Sequence, residues 1–262
     1  MKKNILLFIF LLSFFIIFII PFLNSPDITD IDGVYNRKFK DYAVFYPQHQ
    51  DDEVLWAGSA IIRALDQCGK DKVYVVLVSD GSGVNVFKDS KYKNLSRKEK
   101  QNLRDAEFKA SLKDLGVKES NITLLADLDD KEGVNYELME KIMLQFEYRF
   151  KNVTHITHHY KYDDHPMHKK NGAVLKKLKD EGLVKDDLYF IKPQYAKYIA
   201  VENRAIYTVN TQEEFNKIKL ACKEYKLIDT KNKKFGIGYT SAHNAFDNLL
   251  NDPKAKSILS IK

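Results

Sequence analysis

A histidine and three consecutive carboxylates stand together after an apolar, strand-like segment at 42–46. The run is His49-Gln50-Asp51-Asp52-Glu53. His49 and Asp52 are three residues apart across the expected strand-to-helix turn, a spacing that lets both side chains face one point. An imidazole and a carboxylate suit Zn²⁺ and similar divalent ions. Asp51, which lies between them, is then free to contact a water bound to the ion.

The same acidic run has a simpler interpretation, in which it only stabilises a helix. Its three carboxylates precede the helix predicted over 54–65, and negative charge at a helix N-terminus contributes about 0.3–1 kcal/mol per residue. Three adjacent carboxylates also repel one another, however, and helix capping needs only one of them. A bound cation would relieve that repulsion.

A second concentration of histidines follows the strand predicted over 153–157. Five of the seven histidines lie between positions 155 and 168. His165 and His168 repeat the three-residue spacing of the first run, and we interpret them as part of the same site. For the other three we expect a structural role, with one buried on the strand and the others at its mouth. They are His155, His158 and His159.

Both clusters belong to an alternating pattern of strands and helices. The predicted strands span 42–46, 73–78, 121–125 and 153–157. The predicted helices span 54–65, 96–115, 136–150 and 168–180. This order predicts an α/β fold with a mostly parallel sheet and helices on both faces. Ligands of such sheets bind beyond the carboxyl ends of the strands, at a topological switch point.

After residue 185 the pattern loosens. Strands are expected over 188–191 and 198–209, some of them antiparallel. Helices are expected over 212–225 and 244–250.

Together, the two clusters resemble the signature motifs of the PIG-L/LmbE-like family of metal-dependent N-acetylglucosaminyl de-N-acetylases. The run at 49–53 is similar to the family's His-Pro-Asp-Asp-Glu motif, and the run at 164–168 to its His-Pro-Asp-His motif. The loop at 79–83 and the Arg104-x-x-Glu107 helix, which ends in Leu-Gly-Val at 115–117, also resemble family features. The similarity covers about residues 41 to 180.

Two positions depart from the family motifs. Gln50 replaces the usual Pro and removes no functional group. Met167 replaces the usual Asp, so the role of that carboxylate is either lost or supplied by Asp163 or Asp164.

The resemblance implies a Rossmann-like fold and a hydrolase that removes the acetyl group from an N-acetylated amino sugar. The segment at 53–58 looks more like bacterial relatives and favours an envelope glycan or glycoconjugate as the source of that sugar. The implied cofactor is Zn²⁺ or another divalent metal such as Fe²⁺, with His49, Asp52 and His168 as its ligands. Asp51 is then the general base. His165 would stabilise the tetrahedral oxyanion and protonate the leaving amine.

Asp80 and Arg104 are implied substrate contacts, although an exposed helix ion pair is an equally good interpretation of Arg104. Two other functions stay open: an N-acetylglucosaminyl-phosphatidylinositol de-N-acetylase, and a non-catalytic carbohydrate-binding protein that retains the fold. A nucleotide-binding protein is disfavoured because no G-x-G-x-x-G follows the first strand.

The first 23 residues differ from the rest of the chain. Two lysines precede an apolar run that ends at Leu23, whereas the mean hydropathy of the whole chain is −0.40. The length of the run and the lack of a small-x-small cleavage site predict an uncleaved signal anchor over 1–23. Positive charge before the run, and three Asp without Lys or Arg over 24–36, predict an extracytoplasmic catalytic domain. The alternative is secretion after cleavage of a signal peptide.

The remainder is predicted to form a short tether over 24–40 and one domain over 41–262, since about 225 residues suffice for a single core. The formal net charge is +6 and the lysines are spread along the chain, so no nucleic-acid partner is expected. Cys68 and Cys222 have no metal-ligand spacing, and their pairing stays open.

Overall fold

The computed structural model describes residues 32–35, 37–129, 133–232 and 234–261. The predicted anchor over 1–23 and most of the tether over 24–40 lie outside these residues. Within the described ranges, no helix is long and apolar enough to cross a membrane.

A mixed sheet forms the centre of the fold. In chain order the strands are β1 (Val34–Tyr35), β2 (Tyr42–Phe45), β3 (Val73–Leu77), β4 (Ile122–Leu124), β5 (Val153–His158), β6 (Asp187–Ile191), β7 (Arg204–Tyr207), β8 (Ile228–Asp229), β9 (Lys234–Phe235) and β10 (Ser257–Ser260). The order across the eight-stranded sheet is β1-β7-β10-β6-β5-β2-β3-β4, while β8 and β9 pair with each other. β2 to β6 are mutually parallel, and β10 is antiparallel to β6 and β7. The predicted α/β fold with a mostly parallel sheet is confirmed.

Six α-helices accompany the strands in the described part of the chain. They are α1 (Asp52–Cys68), α2 (Arg97–Leu115), α3 (Tyr136–Phe150), α4 (Pro166–Asp180), α5 (Gln212–Lys226) and α6 (Ile237–Asn251). Local sequence sets several of their ends. Ser96 and Glu99 form a capping box at the start of α2, and Gly116, at φ 99°, ends that helix in the left-handed region.

Helices cover both faces of the sheet, as predicted. Alternate residues of β2 point to opposite faces, so Ala43 and Phe45 pack with α1, α2, α5 and α6. Val44 packs on the other face with α3 and α4. Because both faces are buried, the central strands read as continuous apolar runs.

The C-terminal third differs most from the prediction. The strand expected over 198–209 is reduced to β7, and α6 begins at Ile237 instead of 244, with a kink at Ala242. β10 was not predicted because four residues carry too little periodicity to identify a strand. It is nevertheless fully buried between β6 and β7. Cys68 and Cys222 do not pair; both are free.

The topology creates a switch point between β2 and β5. From β2 the chain continues to β3 on one side and returns later to β5 on the other. The loops that follow β2 and β5 diverge at the carboxyl ends of these adjacent strands, which leaves a crevice there. These are the two loops that carry the histidine clusters.

Candidate metal centre and active site

Three side chains from the two loops converge on one point. His49 Nδ1 lies 3.0 Å from His168 Nε2, and each of these nitrogens lies 3.3 Å from Asp52 Oδ2. His49 follows β2, Asp52 begins α1 and His168 lies in the first turn of α4. Tetrahedral Zn²⁺ with bonds of about 2.0–2.1 Å requires ligand atoms about 3.3 Å apart, so the spacing of these atoms fits such an ion.

The surroundings of Asp52 support a charged ligand. The buried carboxylate accepts the His49 backbone N–H at 2.8 Å and the Trp56 indole N–H at 2.9 Å. Burial by itself would raise the pKa of Asp52, but the imidazoles of His168 and His158 lower it well below its usual range. Asp52 is therefore an anion that a cation among the imidazoles would neutralise.

His168 is held by a carboxylate behind it. Its Nδ1 lies 3.0 Å from Asp163 Oδ2, which leaves Nε2 directed at Asp52 and His49. A metal-binding histidine commonly has such a carboxylate on its second nitrogen. Asp163 and Asp164 were the two acids that could replace the carboxylate missing at Met167. Asp163 makes the contact with His168, while Asp164 pairs with Lys192.

His158 also lies at this site, which the sequence reasoning missed. Its Nε2 is 3.2 Å from Asp52 Oδ2, and its ring stacks on His168 at 3.8 Å between centroids. The available signal was its position as the last residue of β5, at the edge where ligands bind. His155, by contrast, has the expected structural role: it is buried between the Tyr46 hydroxyl and Glu147, each at 3.0 Å. His159 is buried and packs against Tyr160.

Asp51 has an unusual backbone conformation beside the three converging side chains. Its φ of 109° is positive, a region that costs a non-glycine residue about 1–3 kcal/mol. The carboxylate lies 2.8 Å from Arg104 Nη2. Burial and the adjacent Asp52 raise the pKa of Asp51 to about 6, against the lowering effect of Arg104. A carboxylate with a pKa near neutrality is suited to act as a general base.

His165 caps α4 next to the same point. Its ring centroid is 4.8 Å from that of His49 and 4.7 Å from that of His168. Nδ1 accepts the Met167 backbone N–H at 3.2 Å, and this hydrogen bond assigns the ring proton to Nε2. Burial, together with His49 and His168, lowers the pKa of His165 to about 4. His165 is therefore a neutral imidazole with an N–H to donate.

The two predicted substrate contacts line the same cleft, but their side chains have partners within the protein. Asp80 accepts from Ser82 on one oxygen and from the Gly133 N–H and Arg97 on the other. It therefore ties two loops of the cleft wall together. Arg104 forms an ion pair within its helix, with Glu107, but the pair is buried instead of exposed, since Arg104 is only 2% exposed. Its guanidinium also donates a hydrogen bond to the Asp51 carboxylate.

A cleft of about 890 Å³ opens above these residues. Its walls include the loop at 81–86, Trp56 and Lys192, together with Thr240, Ser241 and Ala242 from α6. This volume lies in the range of small-molecule sites. The C-terminal third thus contributes one wall of the cleft.

Comparison with known proteins identifies the family. The family model described as PIG-L, GlcNAc-PI de-N-acetylase, matches residues 44–179, which is just over half of the chain. A sequence search among curated proteins finds no match.

Solved structures with a similar fold include three deacetylases. The N,N'-diacetylchitobiose deacetylase from Pyrococcus horikoshii is 14% identical, with a TM-score of 0.52 and coverage of 85% of this chain and 84% of that chain. A deacetylase of the teicoplanin biosynthetic pathway is 16% identical, with a TM-score of 0.57 and coverage of 84% of this chain and 96% of that chain. The A40926 pseudoaglycone deacetylase is 17% identical, with a TM-score of 0.53 and the same coverages, 84% and 96%.

At these identities the structural likeness establishes the fold, and the family match establishes the membership. The matched region contains the loops after β2 and β5, and with them every side chain that converges at the site. The chain belongs to the PIG-L/LmbE-like family of deacetylases.

Proposed function

We propose that the protein is a metal-dependent hydrolase that removes the acetyl group from an N-acetylated amino sugar of an envelope glycan or glycoconjugate. The observation that carries the proposal is the convergence of His49, Asp52 and His168 within 3.0–3.3 Å, with Asp51 lining the same cleft. A non-catalytic carbohydrate-binding protein would not need a buried base next to a complete ligand set.

His49 Nδ1, His168 Nε2 and Asp52 Oδ2 would hold the ion, which we propose to be Zn²⁺ or Fe²⁺. When bound, such an ion polarises the acetyl carbonyl and lowers the pKa of water towards about 7. His158 Nε2 lies 3.2 Å from Asp52 Oδ2, so this ring is near enough to serve as a further ligand.

In the proposed reaction, Asp51 takes a proton from the attacking water, and the oxygen of that water forms a bond to the acetyl carbon. His165 stabilises the oxyanion that develops on the carbonyl oxygen by a hydrogen bond from its Nε2–H group. The C–N bond then breaks, and the proton held by Asp51 passes to the leaving amine. The products are acetate and a free amino sugar.

This scheme narrows the role predicted for His165. Because the Met167 N–H occupies Nδ1, the ring is neutral and serves as a hydrogen-bond donor. We therefore assign the protonation of the amine to Asp51, which has just accepted a proton.

The second candidate substrate is N-acetylglucosaminyl-phosphatidylinositol, favoured by the description of the matching family. Both candidates place the same acetamido group at the site and differ in what the rest of the cleft accommodates. The cleft volume exceeds what a single sugar ring needs, which is compatible with either an oligosaccharide or a glycolipid.

Acetate release from a panel of N-acetylated substrates tests the proposal. The panel contains N-acetylglucosamine, N,N'-diacetylchitobiose, an N-acetylated glycan polymer and N-acetylglucosaminyl-phosphatidylinositol, each with and without a chelator. We expect chelator-sensitive release from at least one of them, restored by Zn²⁺ or Fe²⁺.

Asp51→Asn is the matched control for this assay. It is expected to retain the metal and to lose about 10²–10⁴-fold in kcat, the usual contribution of a general base. Full activity of Asp51→Asn, or acetate release unaffected by complete metal removal, would contradict the proposed chemistry.

A further inference from the structure

We infer that Tyr225 on α5 and the backbone of Ile237 and Gly238 at the start of α6 are positioning elements for Asp51. These three residues lie outside the matched region 44–179 and do not line the cleft. The inference rests on the proposed function of Asp51 as the base and adds residues that determine where that base lies.

The first connection runs through the backbone of Asp51. Its N–H donates to Glu53 Oε2 at 3.0 Å. Glu53 is fully buried, and its other oxygen accepts the Ser111 and Tyr225 hydroxyls at 2.7 Å each. Tyr225 thus fixes the side chain of Glu53, and Glu53 in turn fixes the backbone N–H of Asp51.

The second connection runs through the side chain of Asp51. Arg104 Nη2 lies 2.8 Å from Asp51 Oδ2, and Nη1 lies 3.0 Å from Glu107 Oε2. The carboxylate of Glu107 in turn accepts two backbone N–H groups of α6, from Ile237 at 2.7 Å and Gly238 at 3.0 Å. The start of α6 therefore fixes the acid that orients the guanidinium.

The two connections meet at Gly238. The Arg104 guanidinium carbon lies 5.9 Å from the centre of the Tyr225 ring. A Cβ atom at Gly238 would lie 2.4 Å from Tyr225 Cδ1 and 2.7 Å from Arg104 Nη1. A residue without a side chain is required here so that the start of α6 can pack against both groups at once.

This arrangement matters because Asp51 does not hold its conformation unaided. At φ 109° the residue lies in a region that L side chains rarely adopt, so the surrounding bonds must maintain it. Loss of the Glu53 or Arg104 contact would let the backbone relax and move the carboxylate away from the water it must deprotonate. α6 also contributes Thr240 and Ser241 to the cleft wall, so this helix supports both the wall and Asp51.

The test compares Tyr225→Phe with Tyr239→Phe in the full-length, metal-loaded protein. Each substitution removes one hydroxyl, but the Tyr239 hydroxyl donates to Asp247 on the outer surface of α6. For Tyr225→Phe we expect kcat to fall at least tenfold, with KM and metal stoichiometry unchanged. For Tyr239→Phe we expect all three quantities to equal those of the wild type.

Crystal structures of both variants provide a readout that does not depend on activity. We expect the bond from Asp51 N–H to Glu53 to be broken or Asp51 to leave positive φ in Tyr225→Phe, and both to be retained in Tyr239→Phe. A Tyr225→Phe variant with wild-type kcat and an unmoved Asp51 would overturn the inference. If the wild type releases no acetate from any substrate, the proposed function fails, and the structures still decide whether Tyr225 positions Asp51.

Discussion

The carboxylate that orients His168 lies outside the family's His-Pro-Asp-His motif. Met167 stands where that motif has Asp, and Asp163, five residues before His168, occupies its Nδ1 instead. Burial would raise the pKa of Asp163, but the bond to His168 lowers it well below its usual range. The acid therefore stays ionised and increases the basicity of the imidazole that would bind the metal.

Asp163→Asn is expected to weaken metal binding about 10–100-fold, because removal of such a carboxylate lets the histidine ring reorient. Competition with a chromophoric chelator measures the affinity. Asp164→Asn is the control, since the Asp164 side chain is 57% exposed and contacts Lys192 instead of His168. Equal metal affinity in the two variants would show that Asp163 does not support the ligand.

The buried His155 makes the stability of the fold depend on pH. Burial lowers the pKa of His155 below 6.5, so the folded state keeps the ring neutral while the unfolded chain takes up a proton. The neutral His155 ring therefore makes its full contribution to the unfolding free energy above pH 6.5, and this contribution is lost as the pH falls below that value.

Between about pH 7.5 and about pH 5.5, the unfolding free energy of His155→Gln is expected to fall less than that of the wild type. The difference is at most about 1.4 kcal/mol per pH unit, the limit for one proton. Chemical denaturation at both pH values measures it, with His243→Gln as the exposed control. An identical pH dependence in wild type and His155→Gln would refute the assignment.

At the scale of elements, the close approach of α4 to the end of β5 brings the second histidine cluster to the site. Asn171 bridges two strands there: its amide donates to the Tyr46 carbonyl and accepts the His158 N–H. A Cβ atom at Gly172 would lie 2.2 Å from the His158 carbonyl oxygen and 2.5 Å from the Tyr160 nitrogen. The contact is with backbone, so it cannot be relieved by a side-chain rotation.

Gly172→Ala is accordingly expected to lower the unfolding free energy by at least about 1–3 kcal/mol, the usual cost of overpacking. It should also weaken metal binding, since α4 carries His168. Thermal unfolding and metal titration measure the two effects. Gly83→Ala is the matched control, because a Cβ atom there meets nothing within 4 Å. A Gly172→Ala protein as stable as Gly83→Ala would show that α4 can shift without cost.

At the scale of the whole molecule, the loops that carry the candidate site come from the first two thirds of the chain, and part of their support comes from the last third. We propose that residues 1–23, which lie outside the described part, anchor this domain to a membrane on its extracytoplasmic side. The basis is the apolar run and the lysines before it.

Fractionation of cells that express the full chain tests this proposal. We expect the protein in the membrane fraction, resistant to alkaline extraction, and digested when protease is added to intact spheroplasts. A Lys2→Glu/Lys3→Glu variant should lose the uniform orientation, because the flanking charge then no longer favours one side. A soluble, shortened product would instead support cleavage of a signal peptide.

The sequence by itself determined the order of the strands and helices between residues 41 and 180, the caps of α2 and the two loops that carry the site. These features depend on local periodicity and on side chains near in sequence, such as Ser96 with Glu99. The motif at 49–53 and the paired histidines at 165 and 168 also named the side chains that converge.

Only the tertiary structure decided which distant groups support them. His158 reaches Asp52 because β5 lies beside β2, and Tyr225 reaches Glu53 because α5 packs on the face that α1 occupies. The burial of β10 likewise depends on β6 and β7, which lie far from it in sequence. Such contacts arise from packing between elements, and no spacing along the chain encodes them.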